Sequence, residues 1–357
     1  MNPAAKYGRE DFDHSPMLVF YELTRACDLA CKHCRADAQA LADPNELSTA
    51  QAKQLIMQLS EFPKKPLLVM TGGDPLKRPD VFELLDHAVS SGHQVAMTPS
   101  ATPLVTREAI RRLAAIGLHR LAVSLDGADA ATHDGFRQVQ GSYQRTMEII
   151  ADAKSAGIPV QINTTIAHHN LHQIDDIAEL LIGLSVELWS VFFLIPIGRG
   201  LADQRLSEQE SEGVFERLHH HSKYIPIKTT EAPHYRRFLL QKFKADPVTK
   251  TGPAARWVGT NDGKGILFVS HTGEIYPSGF LPICCGKFPL DSLVRVYQTA
   301  KLFQALRDTD QLTGKCGVCE YKEICGGSRA RAFAMTGDPL AAEPDCAYTS
   351  PRWSKKN

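Results

Sequence analysis

The chain has 357 residues, of which 43% are hydrophobic and 22% are charged, so it can bury a sizeable core and is neither disordered nor collagen-like. Its 40 basic and 40 acidic residues cancel, and no stretch gathers the Lys and Arg of a nucleic-acid-binding surface. The sequence shows neither a signal-peptide pattern nor an apolar run long enough to cross a bilayer. We therefore expect a cytoplasmic protein that binds neither nucleic acid nor a membrane.

Six apolar runs alternate with amphipathic segments in the first half of the chain. The runs are continuous, as in parallel strands covered on both faces, and comprise Met17–Leu23, Leu67–Met70, Gln94–Thr98, Arg120–Leu125, Val160–Ile166 and Leu188–Ile195. The segments with helical periodicity are Thr49–Glu61, Pro79–Ser91, Arg107–Ile116, Tyr143–Ala156 and Gln173–Ile182. Repeated strand–helix units predict an α/β fold, a partial (β/α)6 parallel barrel whose active-site residues lie at the C-terminal ends of the strands.

We expect the chain to divide into four parts. Residues 1–15 form an N-terminal extension, residues 16–200 the partial barrel and residues 201–264 a helical and irregular connection. Residues 265–357 form a small cysteine-rich domain that begins with a predicted β-hairpin over Ile266–Tyr276.

Nine cysteines are informative because a reducing compartment disfavours disulfides and leaves clustered thiols for metal or redox chemistry. Seven of them form two groups, the first with Cys27, Cys31 and Cys34, and the second with Cys316, Cys319, Cys325 and Cys346. The remaining two, Cys284 and Cys285, are adjacent, and we expect them to be buried or reactive thiols rather than ligands of a cluster.

The first cysteine group directly follows the first predicted strand, in the segment TRACDLACKHC. Three thiolates at this spacing can bind three irons of a 4Fe–4S cube and leave the fourth iron open for a small molecule. The alternative is a structural zinc site, which normally has four protein ligands, and only His33 lies close enough in the sequence to complete one.

This CxxxCxxC loop resembles the signature of the radical S-adenosylmethionine (SAM) superfamily. The resemblance implies that Cys27, Cys31 and Cys34 hold the cluster, and that SAM binds the open iron through its methionine amino and carboxylate groups. In the family, the position before the last cysteine is often aromatic and lies near the adenine, and here it is His33.

Polar residues at the predicted strand ends fit the same interpretation. After the second strand, Gly72 and Gly73 allow a close backbone approach and Asp74 can accept hydrogen bonds from an ammonium group, although a tight turn with a capping Asp is the alternative. The segment resembles the family motif that contacts the methionine amino group. The further cofactor-pocket candidates are Ser100, Ser124, Asp126, Asn163, Thr165 and Ile195.

The second cysteine group could bind zinc or an iron–sulfur cluster, because ligand spacing alone does not decide between them. The C-terminal segment resembles the SPASM or shorter "twitch" extension of radical SAM enzymes, which implies an auxiliary 4Fe–4S cluster. Four well-spaced cysteines predict one such cluster. Where the hairpin of relatives often has a cysteine, this chain has Ser278.

The implied activity is reductive cleavage of SAM to a 5′-deoxyadenosyl radical, which removes hydrogen from a substrate carbon, with a flavodoxin or ferredoxin as electron donor. The segments TRACDLACKHCRADAQ, PLLVMTGGDPLKRPD and CGGSRARAFAMTGDPL resemble enzymes of the alternative haem and haem d1 pathways, which act on tetrapyrrole propionates. Arg329 and Arg331 would then pair with propionates, or else lie on a solvated helix face. The alternatives are a peptide maturase and, from another class, a non-catalytic iron–sulfur electron carrier or zinc-stabilised binding module.

Overall fold

A computed structural model describes residues 7–200, 202–243 and 259–354. Its strands are β1 (Leu18–Glu22), β2 (Leu67–Thr71), β3 (Val95–Met97), β4 (Arg120–Ser124), β5 (Val160–Ile166), β6 (Leu188–Phe193), β7 (Ile227–Thr230), β8 (Ile266–Val269), β9 (Glu274–Tyr276) and β10 (Gly286–Lys287). Its helices are α1 (Thr49–Gln58), α2 (Val81–Ser90), α3 (Arg107–Ile116), α4 (Ala130–Arg137), α5 (Ser142–Ser155), α6 (Ile174–Gly183), α7 (Glu208–His221), α8 (His234–Lys242), α9 (Leu293–Thr299), α10 (Lys301–Arg307), α11 (Gly314–Gly317), α12 (Arg329–Thr336) and α13 (Pro351–Ser354).

The strands of the described residues form one sheet with the order β10-β9-β8-β1-β2-β3-β4-β5-β6-β7. Strands β1 to β7 pair in parallel along the chain, and β8 pairs in parallel with the free edge of β1. Strands β9 and β10 continue the sheet in antiparallel pairing. The predicted α/β class with a parallel sheet is therefore confirmed, and so is the hairpin, formed by β8 and β9.

Two elements of the barrel were not predicted. The parallel sheet continues past the sixth strand into β7, inside the region expected to be a connection. Helix α4 follows β4, and the Asp129 side chain caps it by accepting a hydrogen bond from the Thr132 amide. The sheet crosses the boundaries that we placed near residues 200 and 265, so the four-part division stays a prediction.

The alternation of side chains gives the sheet two different faces. On β6, Trp189 and Val191 are completely buried in the core beneath the helices. Because successive side chains of a strand point to opposite faces, Ser190 and Phe192 lie on the concave side. Because β1 to β7 run parallel, the loops that follow these strands lie at one end of the barrel, where the first cysteine group lies.

A small apolar cluster joins the barrel to the C-terminal unit. It contains Ile195, just after β6, together with Leu281, Leu306 and Ala330. Among the described helices, none combines the length and the apolar character that a membrane span requires.

Candidate functional site

The first cysteine group lies in the loop after β1. Cys27 and Cys31 are buried and Cys34 is half-buried. The Leu29 amide lies 3.4 Å from Sγ of Cys27, and the Ala38 amide lies 3.4 Å from Sγ of Cys34, each in position to donate a hydrogen bond. Hydrogen bonds to cysteine sulfurs tune iron–sulfur clusters, so the loop provides both thiols and donors directed at them.

Glycines hold this loop against the strand ends. A Cβ atom on Gly72 would lie 2.3 Å from the Thr24 carbonyl oxygen, and one on Gly73 would lie 2.4 Å from that of Ala26. These two glycines therefore allow a close approach to the cysteine loop, and their approach to a ligand stays a prediction. The sequence could not reveal this contact, because it forms only when β2 pairs with β1.

Two arginines reach the same loop from other elements. Arg137, at the end of α4, forms an ion pair with Asp126, and its Nη1 lies 3.6 Å from Sγ of Cys31. Arg199 donates from its side-chain Nε to the Cys31 carbonyl oxygen and from its backbone amide to that of Cys34, both at 3.0 Å. Arg137 is only 12% exposed, so it is a buried member of the site rather than a surface residue.

Asp74 is completely buried at the end of β2. Its carboxylate accepts hydrogen bonds from the Thr102 hydroxyl at 2.6 Å and from the Leu76 amide at 3.1 Å. Burial raises the pKa of Asp74, and these hydrogen bonds act against that rise. The carboxylate therefore has protein partners already, and its predicted contact with the methionine amino group stays a prediction.

Ser100, after β3, directly contacts Cys27, one of the cysteines predicted to bind the cluster. Its hydroxyl lies 3.3 Å from Sγ of Cys27 and donates to the Gly73 carbonyl oxygen at 2.8 Å. Burial raises the pKa of the Cys27 thiol, against the effect of the Ser100 hydrogen bond. Binding of a metal would therefore displace a proton from this thiol.

Asp126 lies in the loop after β4 and is fully buried. Besides its ion pair with Arg137, its carboxylate accepts a hydrogen bond from the Thr165 amide at 2.7 Å. Burial alone would raise the pKa of Asp126, but the Arg137 charge, the neighbouring histidines and the hydrogen bond from the Thr165 amide together outweigh this effect, and the pKa is lowered. Asp126 thus ties β4, β5 and α4 together.

Of the other predicted pocket residues, three lie together on one face of the sheet and Ile195 lies apart from them. Ser124 and Asn163 are half-buried neighbours in the paired register of β4 and β5, on the concave face. Thr165 lies two residues further along β5, on the same face as Asn163. Ile195 has only 2% of its surface exposed, within the apolar cluster that includes Leu281. Little of its side chain remains free to contact an adenine.

Sequence reasoning missed an aromatic stack beside the cysteine loop. The Phe136 ring of α4 stacks between His33, at a centroid distance of 4.1 Å, and His169, at 3.7 Å. Burial and the Arg137 charge lower the pKa of His33 to about 3, so this imidazole is neutral. The signal for α4 was weak because Gly135 interrupts its helical pattern, although Asp129 provides a cap.

The second cysteine group forms a site of its own. Cys316, Cys319, Cys325 and Cys346 all line one small cavity, together with Gly327 and Glu343. The Glu343 amide lies 3.3 Å from Sγ of Cys316 and the Gly327 amide 3.4 Å from Sγ of Cys325. Burial raises the pKa of Cys319 to about 12, so this thiol is protonated until a metal binds. This combination of thiols and amide donors fits an iron–sulfur cluster.

The arginines of α12 support this second site from within. Arg331 is 1% exposed and pairs with Glu343 at 3.1 Å and Asp345 at 3.0 Å. Arg329 is equally buried and donates to the carbonyl oxygens of Pro339 and Ala341. The expectation of a solvated helix face is therefore wrong for both arginines, whereas their pairing with propionates stays a prediction.

The adjacent pair Cys284 and Cys285 does not line the cavity of the second group. Cys284 is exposed, whereas Cys285 is half-buried against the main core, and burial raises its pKa to about 12. Within the described ranges, no three His, Cys, Asp or Glu side chains are grouped tightly enough to hold a single metal ion. The thiolates of an iron–sulfur cube are spaced more widely, because each binds a different iron.

Comparisons with known proteins identify the family to which the chain belongs. Residues 21–181 match the model of the radical SAM superfamily. The chain is 41% identical to an AdoMet-dependent heme synthase of Nitratidesulfovibrio vulgaris, over 97% of both chains, and 40% identical to one of Methanosarcina barkeri, over 94% of this chain and 97% of the other. Its fold is similar to that of Streptococcus suis SuiB bound to the precursor peptide SuiA, with a TM-score of 0.74 at 15% identity over 95% of this chain and 78% of the other. With a cysteine loop placed at the end of β1 and this extent of similarity, the chain belongs to the radical SAM superfamily.

Proposed function

We propose that this radical SAM enzyme converts propionate side chains of an iron tetrapyrrole into vinyl groups, and thereby makes haem. The observation that carries the proposal is the 41% identity to an AdoMet-dependent heme synthase, which extends over 97% of both chains and so spans both cysteine groups. The similarity to SuiB is a similarity of fold alone, at 15% identity.

The chemistry makes specific demands on the protein. A propionate becomes a vinyl group when it loses one hydrogen atom, carbon dioxide and one electron. A 4Fe–4S cluster held by Cys27, Cys31 and Cys34, together with SAM, would supply the radical chemistry that removes this hydrogen atom. The remaining electron needs an acceptor, and we propose an auxiliary 4Fe–4S cluster for this role.

The protein groups divide between these tasks. Cys27, Cys31 and Cys34 would hold the SAM-binding cluster, while Ser100 and Arg137 orient its thiolates through the contacts described above. Cys316, Cys319, Cys325 and Cys346 would hold the auxiliary cluster, in the cavity that all four line.

The remaining positions keep narrower roles. Ser124, Asn163 and Thr165 are candidates for hydrogen bonds to SAM, because they lie on the concave face near the strand ends. A flavodoxin or ferredoxin would supply the electron that starts each turnover.

The proposal is tested with the purified enzyme under anaerobic conditions. Reduced protein is supplied with SAM and iron coproporphyrin III, a tetrapyrrole that carries only propionates as its acidic side chains. We expect each propionate consumed to yield one carbon dioxide, one 5′-deoxyadenosine and one vinyl group, which mass spectrometry of the tetrapyrrole detects. A reaction without SAM is the control.

The second candidate is modification of a ribosomal peptide, which the similarity of fold to a peptide-bound enzyme favours. The two functions predict different outcomes of the same assay. If 5′-deoxyadenosine forms but the tetrapyrrole keeps its mass and all its propionates, the proposed function is wrong and the peptide class takes precedence.

A further inference from the structure

Two basic residues inside the barrel, Lys228 and Arg120, have no role yet in the proposed function. Lys228 is the second residue of β7. It lies opposite Ser190 of β6 in the paired register, Ser190 lies opposite Asn163 of β5, and Asn163 lies opposite Ser124 of β4. Lys228 therefore continues the row that contains two of the proposed SAM-binding residues.

Neighbouring contacts define the direction of the Lys228 side chain. Ile227 packs against the main core beneath the helices, so the next residue points to the concave side. The hydroxyl groups of Ser190 and Thr230 lie 3.5 Å apart on that side, and Thr230 shares the face of Lys228. The lysine is accessible to water, yet it projects into the interior of the barrel.

Arg120 is the second cation on this face. On β4, Leu121 and Val123 belong to the core beneath the helices, so Arg120 and Ser124 face the interior. Its Nε is buried without a hydrogen-bond partner in the part of the chain that the structure describes. Although Lys228 stays accessible to water, the protein that surrounds its side chain displaces part of its hydration and lowers its pKa, and the Arg120 charge acts in the same direction.

Other interior cations differ from this pair. Arg137 forms an ion pair with Asp126, and Arg35 pairs with Glu22 at 3.0 Å. Within residues 7–200, 202–243 and 259–354, neither Lys228 nor Arg120 forms an ion pair, and Glu187 attracts Arg120 only at longer range. Two positive charges on the same face of the sheet, neither of them in an ion pair within these residues, favour the binding of an anion.

An apolar surface lies beside the pair. Phe192 of β6 is opposite Thr230 in the register and contacts Phe280, at a centroid distance of 6.3 Å. Both phenyl rings are half-buried. A flat apolar ring that carries carboxylates would match this combination of aromatic surface and positive charge.

We propose that Lys228, assisted by Arg120, binds a propionate carboxylate of the substrate inside the barrel. The proposal rests on the proposed function, because it commits to a tetrapyrrole that carries propionates. Lys228 lies two strands away from Asn163, roughly 10 Å at the usual spacing of strands. A propionate held by Lys228 would therefore keep the ring within reach of the SAM pocket.

The test measures binding of iron coproporphyrin III by absorbance titration of the full-length, cluster-loaded enzyme. Lys228→Met should raise the dissociation constant about tenfold, and Lys228→Arg should restore it to within about threefold of the native value, because a charged hydrogen bond is lost and regained. Arg120→Met should raise it by a smaller factor. Lys223→Met is the matched control, since Lys223 is an exposed lysine just before β7, and it should bind like the native enzyme.

A second probe separates charge recognition from a fault in folding. The tetramethyl ester of iron coproporphyrin III has no carboxylates, so the native enzyme and Lys228→Met should bind it equally. The inference alone fails if Lys228→Met binds the free acid as tightly as the native enzyme, or if the ester shows the same tenfold loss. If the native enzyme binds neither probe, the proposed function fails together with the inference.

Discussion

The cysteine loop after β1 and the C-terminal cysteine cavity hold their thiols in different ways. The loop offers three thiols and is clamped from outside, by Gly73 of the neighbouring strand end and by Arg137 and Arg199. The C-terminal site places four thiols around one cavity and is supported from beneath by the buried Arg331 with its two carboxylates.

If each site holds the cluster proposed above, this difference in structure would correspond to a difference in chemistry. Three thiolates leave one iron of a cube free for SAM, whereas four thiolates occupy every iron. A clamped loop can keep one side open because the neighbouring strand ends supply its rigidity. A four-cysteine cavity can stabilise itself through its metal, and it then suits electron transfer better than binding of a ligand.

The strongest test of the comparison removes the first group. Replacing Cys27, Cys31 and Cys34 together by Ala should abolish formation of 5′-deoxyadenosine and lower the iron content from about eight to about four per chain. Anaerobic reconstitution followed by iron analysis and chromatography of the nucleoside measures both effects. Residual SAM cleavage at the native rate would contradict the assignment of the open iron to this loop.

Removal of two ligands from the second group should have a narrower effect. Cys319→Ala with Cys325→Ala should retain slow cleavage of SAM but lose turnover of the tetrapyrrole, with about four irons left. Thermal melting must accompany the assay, because loss of a metal also removes folding energy.

The exposed Cys284 provides the control for this variant. Cys284→Ser should keep both clusters, because Cys284 lies outside the cavity. A well-folded variant without the second cluster that still converts substrate at the native rate would exclude the electron-acceptor role.

A smaller effect is expected when one clamp of the loop is removed. Arg137→Leu leaves the Asp126 carboxylate buried without its ion-pair partner, which should cost about 3 kcal/mol in the free energy of unfolding. The matched control is Arg107→Leu, where a 70%-exposed arginine pairs with Asp152 and the loss should stay below about 1 kcal/mol. Anaerobic urea denaturation measures the free energy of unfolding of both variants. Equal losses would contradict a stabilising role of the buried ion pair between Arg137 and Asp126.

The smallest effect concerns the backbone approach at Gly73. A methyl group there would meet the backbone of Arg25 and Ala26, so Gly73→Ala should cost about 1–3 kcal/mol and reduce the iron bound by the first group. In Gly135→Ala the methyl group meets no atom within 4 Å, and the helix should gain about 0.5–1 kcal/mol. Full iron occupancy in Gly73→Ala would show that the loop tolerates displacement.

The class of fold could be predicted because its signal is local. Continuous apolar runs identified the first six parallel strands. Strand β7 escaped prediction because its sequence IKTT has only one strongly apolar residue, and its strand conformation depends on pairing with β6.

The candidate site was harder to predict, since its partners are distant in the sequence. The ligand sets follow from spacing, but the roles of the supporting residues do not. Arg331 pairs with Glu343 and Asp345, and Arg137 pairs with Asp126. A sequence shows each of these charges but not its partner, so binding residues and structural ones could not be told apart.

The pairing of β8 with β1 has a consequence for how the chain is made. Phe20 and Phe268 face each other in this register, although roughly 250 residues separate them. At about 5–20 residues per second on a ribosome, the β1 edge waits on the order of ten seconds or more for its partner. Throughout that time the nascent chain presents an unpaired edge beside the cysteine loop, a template for aggregation. The yield of folded protein should therefore depend on chaperones that shield this edge during synthesis.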